Sequence, residues 1–600
     1  MYSRAGTTLK RQLQRSGPTQ TRAGCRAVST NASRSTLSAQ RRVALALATA
    51  AGGLTLFYYT FPRQIHNDAL PPSSAKSSSS KAKVSQPVLD PNVLHSLVWG
   101  SNSSAGLAPD SPATEPIRTP AVAAWLEGIA LRDLGLHEKH AACVDARGDV
   151  YQWGEGFFGA VQGRAPKRTL RGKNIIQLQL TDDKIFALSS SGRIYVLASS
   201  GVKQGLSPGK PTPASDSWWG TGWLWGEDQT VDFAEISPAE PLGWGESITS
   251  IAAGKNHLLA LSSKGRVLAH PVNNLANFYG QLGLRKFEMP DPAQLIPTKI
   301  APQVQVELIP KSLADPFINS SRAIRVSSTA FTSENLANVD DKDIRFCTKL
   351  YEVPVLKEVE AAQIAAGSRT SFLRTSNGRV LAWGANDFGQ LGLGSNVALD
   401  TITVPTEVVL WRFVSNSTET KCLDVVAGGD LTAFVVERKD SANPATLDVL
   451  MSGNGQYGGL GNNSFTNSQG TPTRVKAISG LQQYNEHTKR LEPIKPEEVV
   501  ISSTGHVVAS LNSSPTSDGI GGKDLMVWGK NYESELGNGK KSSLPQPAVM
   551  EYPEGERLML MKKKAKEVKD LQGKVWKRGI KVEQRVAVGP QNSVVYWKLV

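Results

Sequence analysis

Cysteine is scarce in this 600-residue chain: Cys25, Cys143, Cys347 and Cys422 stand far apart and no C-x-x-C pair occurs. That excludes a dense disulfide framework and a four-thiolate zinc site. Aromatic residues make up only 7%, yet 40% of the chain is hydrophobic, so neither a disordered nor a polytopic membrane composition fits. No H-E-x-x-H or G-x-S-x-G element is present. Gly539-Lys540-Lys541-Ser542 lacks the hydroxyl residue directly after the first lysine and the earlier glycine that a phosphate loop needs. Gly453-Asn454-Gly455-Gln456-Tyr457-Gly458 matches G-x-G-x-x-G in form, but it sits in a turn of the repeat below and does not open a helix. His137 and His140 have no third ligand nearby in sequence. The chain is therefore expected to be non-catalytic, with no catalytic, cofactor-binding or metal-binding residues.

Acidic residues are also missing from the amino terminus, where none precedes Asp68. The formal charge of +14 is concentrated there, because residues 1–67 hold ten Lys and Arg and the remainder holds 57 against 53 acids. Arg4, Lys10, Arg11, Arg15, Arg22, Arg26 and Arg34 lie among Ser, Thr and Gln, the composition of a mitochondrial transit peptide, expected over residues 1–42. Val43 to Phe61 follows as nineteen uncharged residues, a length that as a helix would extend roughly 28 Å, about one hydrocarbon core. Tyr58, Tyr59 and Phe61 would form its interfacial belt, so one transmembrane helix is expected over residues 43–61. Arg41 and Arg42 favour the amino end in the matrix and the body in the intermembrane space. Residues 62–92, rich in Ser, Lys and Pro, read as a flexible linker.

Beyond the linker the sequence repeats itself, and 54 Gly with 34 Pro fit many short strands joined by turns. Ile364-Ala365-Ala366-Gly367 leads to Gly378, then Trp383-Gly384 and Gly389-Gln390-Leu391-Gly392. A second copy runs Ile251-Ala252-Ala253-Gly254, Gly265, and Gly280-Gln281-Leu282-Gly283; in both, the first two glycines are eleven positions apart. Further copies lie at 140–159, 184–198, 425–461 and 499–537. The remaining copy is split, with Val586-Ala587-Val588-Gly589 at the carboxyl end and Val98-Trp99-Gly100 after the linker. Such a split closes a ring. Trp99-Gly100, Trp153-Gly154, Trp383-Gly384 and Trp528-Gly529 recur at one position, the tryptophans offering large apolar contact between neighbouring units.

The pattern resembles the regulator of chromosome condensation repeat family over residues 93–600. The resemblance implies an all-β, seven-bladed β-propeller of four-stranded blades, closed by the amino- and carboxyl-terminal strands, with insertions near 200–247 and 285–355. The repeat departs from the family at Leu197-Ala198, Ala269-His270 and Ser452-Gly453, where Trp-Gly is replaced.

Two features lie outside the repeat. Trp218, Trp219, Trp223 and Trp225 crowd one insertion and are candidate contact anchors. Residues 562–585 carry ten Lys and Arg against three acids, including Lys562, Lys563 and Lys564, a candidate site for anionic lipid, RNA or an acidic protein. Presequence, span, linker and propeller together resemble fungal mitochondrial inner-membrane members of the family. That implies a single-pass, membrane-anchored scaffold assisting assembly of respiratory complex III, with assembly intermediates as protein partners. The alternatives are a guanine-nucleotide exchange or regulatory factor for an organellar small GTPase, and a mitochondrial ribosome or RNA-associated factor.

Overall fold

The structure, a computed structural model, describes residues 93–109, 115–159, 165–206, 231–290, 303–313, 339–412, 414–440, 444–485, 488–512, 523–552 and 554–600. These lie in the compact unit Pro87–Val600. The expected presequence, membrane helix and most of the linker lie outside the described residues.

One repeat shows how the local chemistry makes a blade. Ala361–Ala366, Thr370–Thr375 and Val380–Ala385 pair antiparallel, and Thr401–Glu407 adds a fourth strand. The tip between the second and third strands is Gly378 at φ +84°, a conformation that costs a residue with a Cβ and suits glycine. Inner strands bury every third residue or so, as in the pattern of Ile248–Ala253, while second strands such as His257–Ser262 are buried throughout. A strand covered on both faces by neighbouring sheets has no solvent side, so alternation of polar and apolar residues disappears there.

The hydrogen bonding corrects the expectation of seven separate blades. Among the described residues five sheets of four or five strands stand apart, while two repeat copies are fused into one eight-stranded sheet. Its order is Ile248–Ala253, His257–Ser262, Val267–Pro271, Lys349–Glu352, Ala234–Pro238, Ile194–Ala198, Lys184–Ser189 and Ile175–Leu180. The physical reason is Lys349–Glu352, which returns from the second insertion and pairs antiparallel with Val267–Pro271 and parallel with Ala234–Pro238. Repeat spacing counts copies of a motif and is blind to a strand that joins two of them. The insertions also add two small hairpins, Lys286–Pro290 with Gln303–Glu307 and Gln482–Asn485 with Arg490–Pro493.

The inner strands Asp133–Leu136, Ile175–Leu180, Ile248–Ala253, Ala361–Ala366, Glu419–Gly428, Pro496–Ile501 and Val575–Val588 each lie against the next, and the last lies against the first. The closing sheet runs Ile117–Val122, Leu97–Gly100, Asn592–Leu599, Val575–Val588 and Lys562–Lys569, so the two chain ends meet as neighbouring strands. Alternation then serves both neighbours: Leu97 and Trp99 pack with Leu525, Val527 and Leu536, whereas Val98 packs with Cys143, Tyr151 and Trp153 on the other side.

A second correction concerns the membrane. Among the described residues no helix is long and apolar enough to cross one. The expectation rested on the length and neutrality of residues 43–61, where Ala, Gly and Thr dilute the apolar side chains.

Candidate partner-binding surface

The repeat positions first build a rigid frame. Trp99, Trp153, Trp383 and Trp528 are fully buried. Each indole Nε1 donates to a backbone carbonyl of the preceding unit: Glu535 at 2.8 Å, Gly106 at 2.9 Å, Gln281 at 2.9 Å and Gly459 at 2.8 Å. Every acceptor directly precedes a buried leucine, Leu536, Leu107, Leu282 or Leu460, so the Gln-Leu-Gly turn of one unit receives the tryptophan of the next. Where Trp is replaced by Ser452, its hydroxyl still reaches the equivalent Gln390 carbonyl at 3.3 Å. The following glycines, Gly100, Gly154, Gly384 and Gly529, all have positive φ; a Cβ on Gly384 would strike the Arg369 carbonyl and the Thr370 backbone. Gly265 and Gly378 form hairpin tips, and Gly254 and Gly367 leave no room for a Cβ beside His257 and Thr370.

Buried histidines bridge units as well. His257 Nε2 and the Ser371 hydroxyl are 2.8 Å apart, and His506 Nε2 and the Ser593 hydroxyl 3.2 Å apart. Burial lowers these imidazoles to about 4 and about 3. His140 stacks on His137 at 4.7 Å and is lowered to about 3, chiefly by burial. His137 Nε2 lies 3.3 Å from Asp182, whose carboxyl the hydrogen bond from His137 holds down at about 2. Among the described residues no group of three or more His, Cys, Asp or Glu is arranged to hold a metal ion.

On this frame the loops around the third and fourth repeat copies form a surface suited to a protein partner. Leu275, Phe278, Ile309 and Leu313 are 43 to 51% exposed. They are held together by the Lys311 amide donating to the Phe278 carbonyl at 2.9 Å and by Asn277 Nδ2 donating to Leu308 at 2.8 Å. Beside them, Tyr279 carries Lys311 Nζ 4.5 Å and the Arg369 guanidinium 4.7 Å from its ring centroid, and Phe388 lies 5.9 Å from the same guanidinium. Arg369 also binds Asp387 at 2.7 Å and Asp430 at 2.9 Å. Burial opposes its charge, but the hydrogen bond to Asp387 and the charge of Asp430 outweigh that and raise its pKa. Asp387 and Asp400 then line an open cleft of about 480 Å³ with Asn386, Ser395, Ser468 and Gly470. An exposed apolar patch, a braced Arg–Tyr pair and an acidic cleft side by side have the composition of a protein-binding hot spot. Sequence reasoning passed over these residues; the signal available to it was the pair Phe278-Tyr279, aromatic where the turn is otherwise polar and Gly-rich.

The residues singled out from sequence are dispersed. Trp218, Trp219, Trp223 and Trp225 lie outside the described residues. Trp244, the last tryptophan of that insertion, is 98% exposed. Lys562 pairs with Glu583 at 3.1 Å, Lys563 donates to the Val93 carbonyl at 2.9 Å and lies over Trp597, and Lys564 is exposed.

Comparison with known proteins adds the following. The family described as "Regulator of chromosome condensation (RCC1) repeat" matches residues 377–435, and a second description of the same repeat matches residues 361–390. The mitochondrial protein FMP25 of Saccharomyces cerevisiae is 28% identical over 249 residues, 41% of this chain and 37% of its own length. The match thus spans well under half of that relative. The mitochondrial RCC1 domain-containing protein RUG3 of Arabidopsis thaliana is 24% identical over 65% of this chain and 79% of its own. Yeast RCC1 (Prp20), solved bound to Kap60, superposes with a TM-score of 0.50 at 16% identity, covering 90% of this chain and 97% of that one. A second structure of Prp20p, at 17% identity and TM-score 0.48, is described with its binding to Gsp1p and histones.

These findings correct the expected function, partners and location. A yeast RCC1 propeller is among the structures that this chain resembles in fold over nearly its whole length, and among the described residues no helix is long and apolar enough to cross a membrane. The reading as a single-pass inner-membrane scaffold for complex III assembly is set aside.

Proposed function

We propose, from the premise that this chain is a non-catalytic β-propeller of the RCC1-repeat family, that it is a regulatory or nucleotide-exchange factor for a small GTPase of the mitochondrion. The observation that carries this reading is the likeness to Prp20 over 90% of the chain, a protein described with its binding to Gsp1p. The mitochondrial setting is supported by the Arg-rich, acid-free residues 1–42, proposed as a presequence, and by the names of FMP25 and RUG3. Residues 62–92 are proposed as a linker, and Trp218, Trp219, Trp223 and Trp225 as additional contact anchors on the same partner.

Such a protein acts by binding energy alone. An exchange factor binds the nucleotide-free state of its GTPase more tightly than the loaded state, and that difference sets how far release is favoured. The apolar patch and Arg369 supply a buried centre for such an interface, and the cleft acids Asp387 and Asp400 supply charge for a basic partner segment.

The test is release of fluorescent GDP from purified mitochondrial small GTPases, one at a time, on adding the full-length protein. Acceleration of one GTPase, cut at least tenfold by Phe278→Ser with Leu313→Asp, is the expected result. No acceleration and no binding across the set would sink the proposal.

A further inference from the structure

We propose that the hairpin Lys562–Lys569/Val575–Val588 is a sequence-tolerant binding site for the phosphodiester backbone of single-stranded nucleic acid. The geometry supplies three independent reasons. First, the register places Lys564 directly opposite Lys581, and both are exposed. Like charges directly opposed weaken a β-ladder, so the fold gains nothing from this pair. Local rules broken without a stabilising return mark functional positions.

Second, the surrounding cations share the face and are not neutralised by it. Cross-strand partners point the same way and alternate residues repeat that direction. Lys564 and Lys566 on one strand therefore join Lys581 on the other, and Lys577 stands further along the hairpin, opposite the buried Val568. All four are exposed, and no ion pair among the described residues engages them. Nearby acids are committed elsewhere: Glu583 to Lys562 and Arg585, Glu567 to Arg578, and Asp570 to Arg147. Successive same-face lysines on a strand stand about 6.7 Å apart, a spacing over which an extended strand presents successive phosphates. Gly579 faces Lys566 between these cations, and the lone atom near its missing Cβ is the Lys564 side chain at 3.4 Å. A backbone can approach closely there.

Third, the hairpin lies lengthwise on the propeller and does not project. The Lys569 amide donates to Gly128 at 3.0 Å, Lys569 bridges Ile129, and Asp570 at the turn holds Arg147 at 3.0 Å. A docked row of cations can track a polyanion along its length. Trp576 packs against the buried cluster that holds Val568, Val582 and Trp597, and Lys577 Nζ lies 5.7 Å from its ring. The Lys-rich edge strand also guards against edge-to-edge aggregation, and Gly579 suits its positive φ of +67°, but neither role requires the opposed lysine pair.

The probe is a fluorescein-labelled 20-mer of oligouridylate, with fluorescence anisotropy read against the full-length protein between 50 and 200 mM salt. The comparison protein carries Lys564→Gln, Lys566→Gln, Lys577→Gln and Lys581→Gln, and a second carries Arg at the same positions. The basic amino terminus is common to all three and cancels. The Gln protein is expected to bind at least about tenfold more weakly, its log–log salt slope shallower by about 3, while the Arg protein keeps both. A matched urea midpoint verifies that the Gln protein is folded; relief of the Lys564–Lys581 repulsion leaves it no less stable. Unchanged affinity and slope in the Gln protein would overturn the proposal. So would binding to phosphatidylserine vesicles with none to the oligonucleotide, which would assign the row to a lipid surface.

Discussion

Among the described residues four histidines are buried; His140, His257 and His506 share one repeat position, and His270 stands where other copies carry Trp-Gly. His257 is lowered to about 4, and His140, His270 and His506 to about 3, in each case first by burial. An unfolded imidazole titrates near 6.5. Because the folded value lies below the unfolded one, the unfolded chain takes up protons first as the pH falls. The stability these neutral side chains contribute is full above about pH 6.5 and lost towards pH 4, at about 1.4 kcal/mol per pH unit for each histidine. Asp133 and Glu498, raised by burial, act in the opposite direction. The clean readout is therefore the difference made by one substitution: the urea midpoint should fall between pH 7.5 and 5.5, and His257→Gln should flatten that fall by one proton's share. Equal slopes in the two proteins would show that His257 is not buried neutral. His140, His257 and His506 were legible in sequence as a repeat position, as were the four tryptophans. Their partners were not. The Glu535, Gly106, Gln281 and Gly459 carbonyls that receive the indoles belong to the backbone, and a carbonyl has no letter of its own in a sequence.

At the scale of elements, the fused sheet depends on a four-residue strand, Lys349–Glu352. Its own ladder is short, with two register pairs on each side, so flanking side chains must hold it. Arg345 grips Asp232 through both guanidinium nitrogens, at 2.5 and 3.1 Å, and Asp232 is 1% exposed. Lys184 Nζ donates to the backbone carbonyls of Val272 at 2.6 Å and Asp341 at 2.9 Å, and burial lowers it to about 8. Removing one partner of a buried pair leaves the other charge uncompensated, a loss of about 3 kcal/mol. Arg345→Ala should lower stability by about that amount, and it should release the amides of residues 349–352 to hydrogen exchange faster than those of His257–Ser262. Undiminished protection would mean that the ladder alone holds the strand. Sequence reading placed an insertion near 285–355 but could not see this strand in it, because Lys-Leu-Tyr-Glu is too short to show a period. The apolar surface at Leu275, Phe278, Ile309 and Leu313 escaped for a related reason. Its residues come from two segments brought side by side by Lys311 and Asn277, and only the fold supplies that adjacency.

For the whole molecule, the decisive contact is between the chain ends. Leu97–Gly100 pairs with Asn592–Leu599 in the register Leu97 to Val595, Val98 to Val594, Trp99 to Ser593 and Gly100 to Asn592. The two half-units were readable at the termini because together they complete one motif. The number of sheets was not, since it depends on hydrogen bonds between copies. Every inner strand has a neighbour on both sides only while this seam is shut, so opening it exposes Trp99 and the apolar groups packed on it. A covalent tie across the seam therefore constrains nearly the entire unfolded chain. Val98→Cys with Val594→Cys places two thiols at directly opposed, buried positions. The native Cys143, Cys347 and Cys422 are buried and free. Burial pushes the Cys347 and Cys422 thiols up to about 12, leaving little thiolate to compete for pairing. The oxidised protein should gain about 2 to 4 kcal/mol in urea unfolding, and reduction should return it to the parent value. If the bond forms in the folded protein yet adds nothing, strain in the folded seam offsets the entropy removed from the unfolded chain.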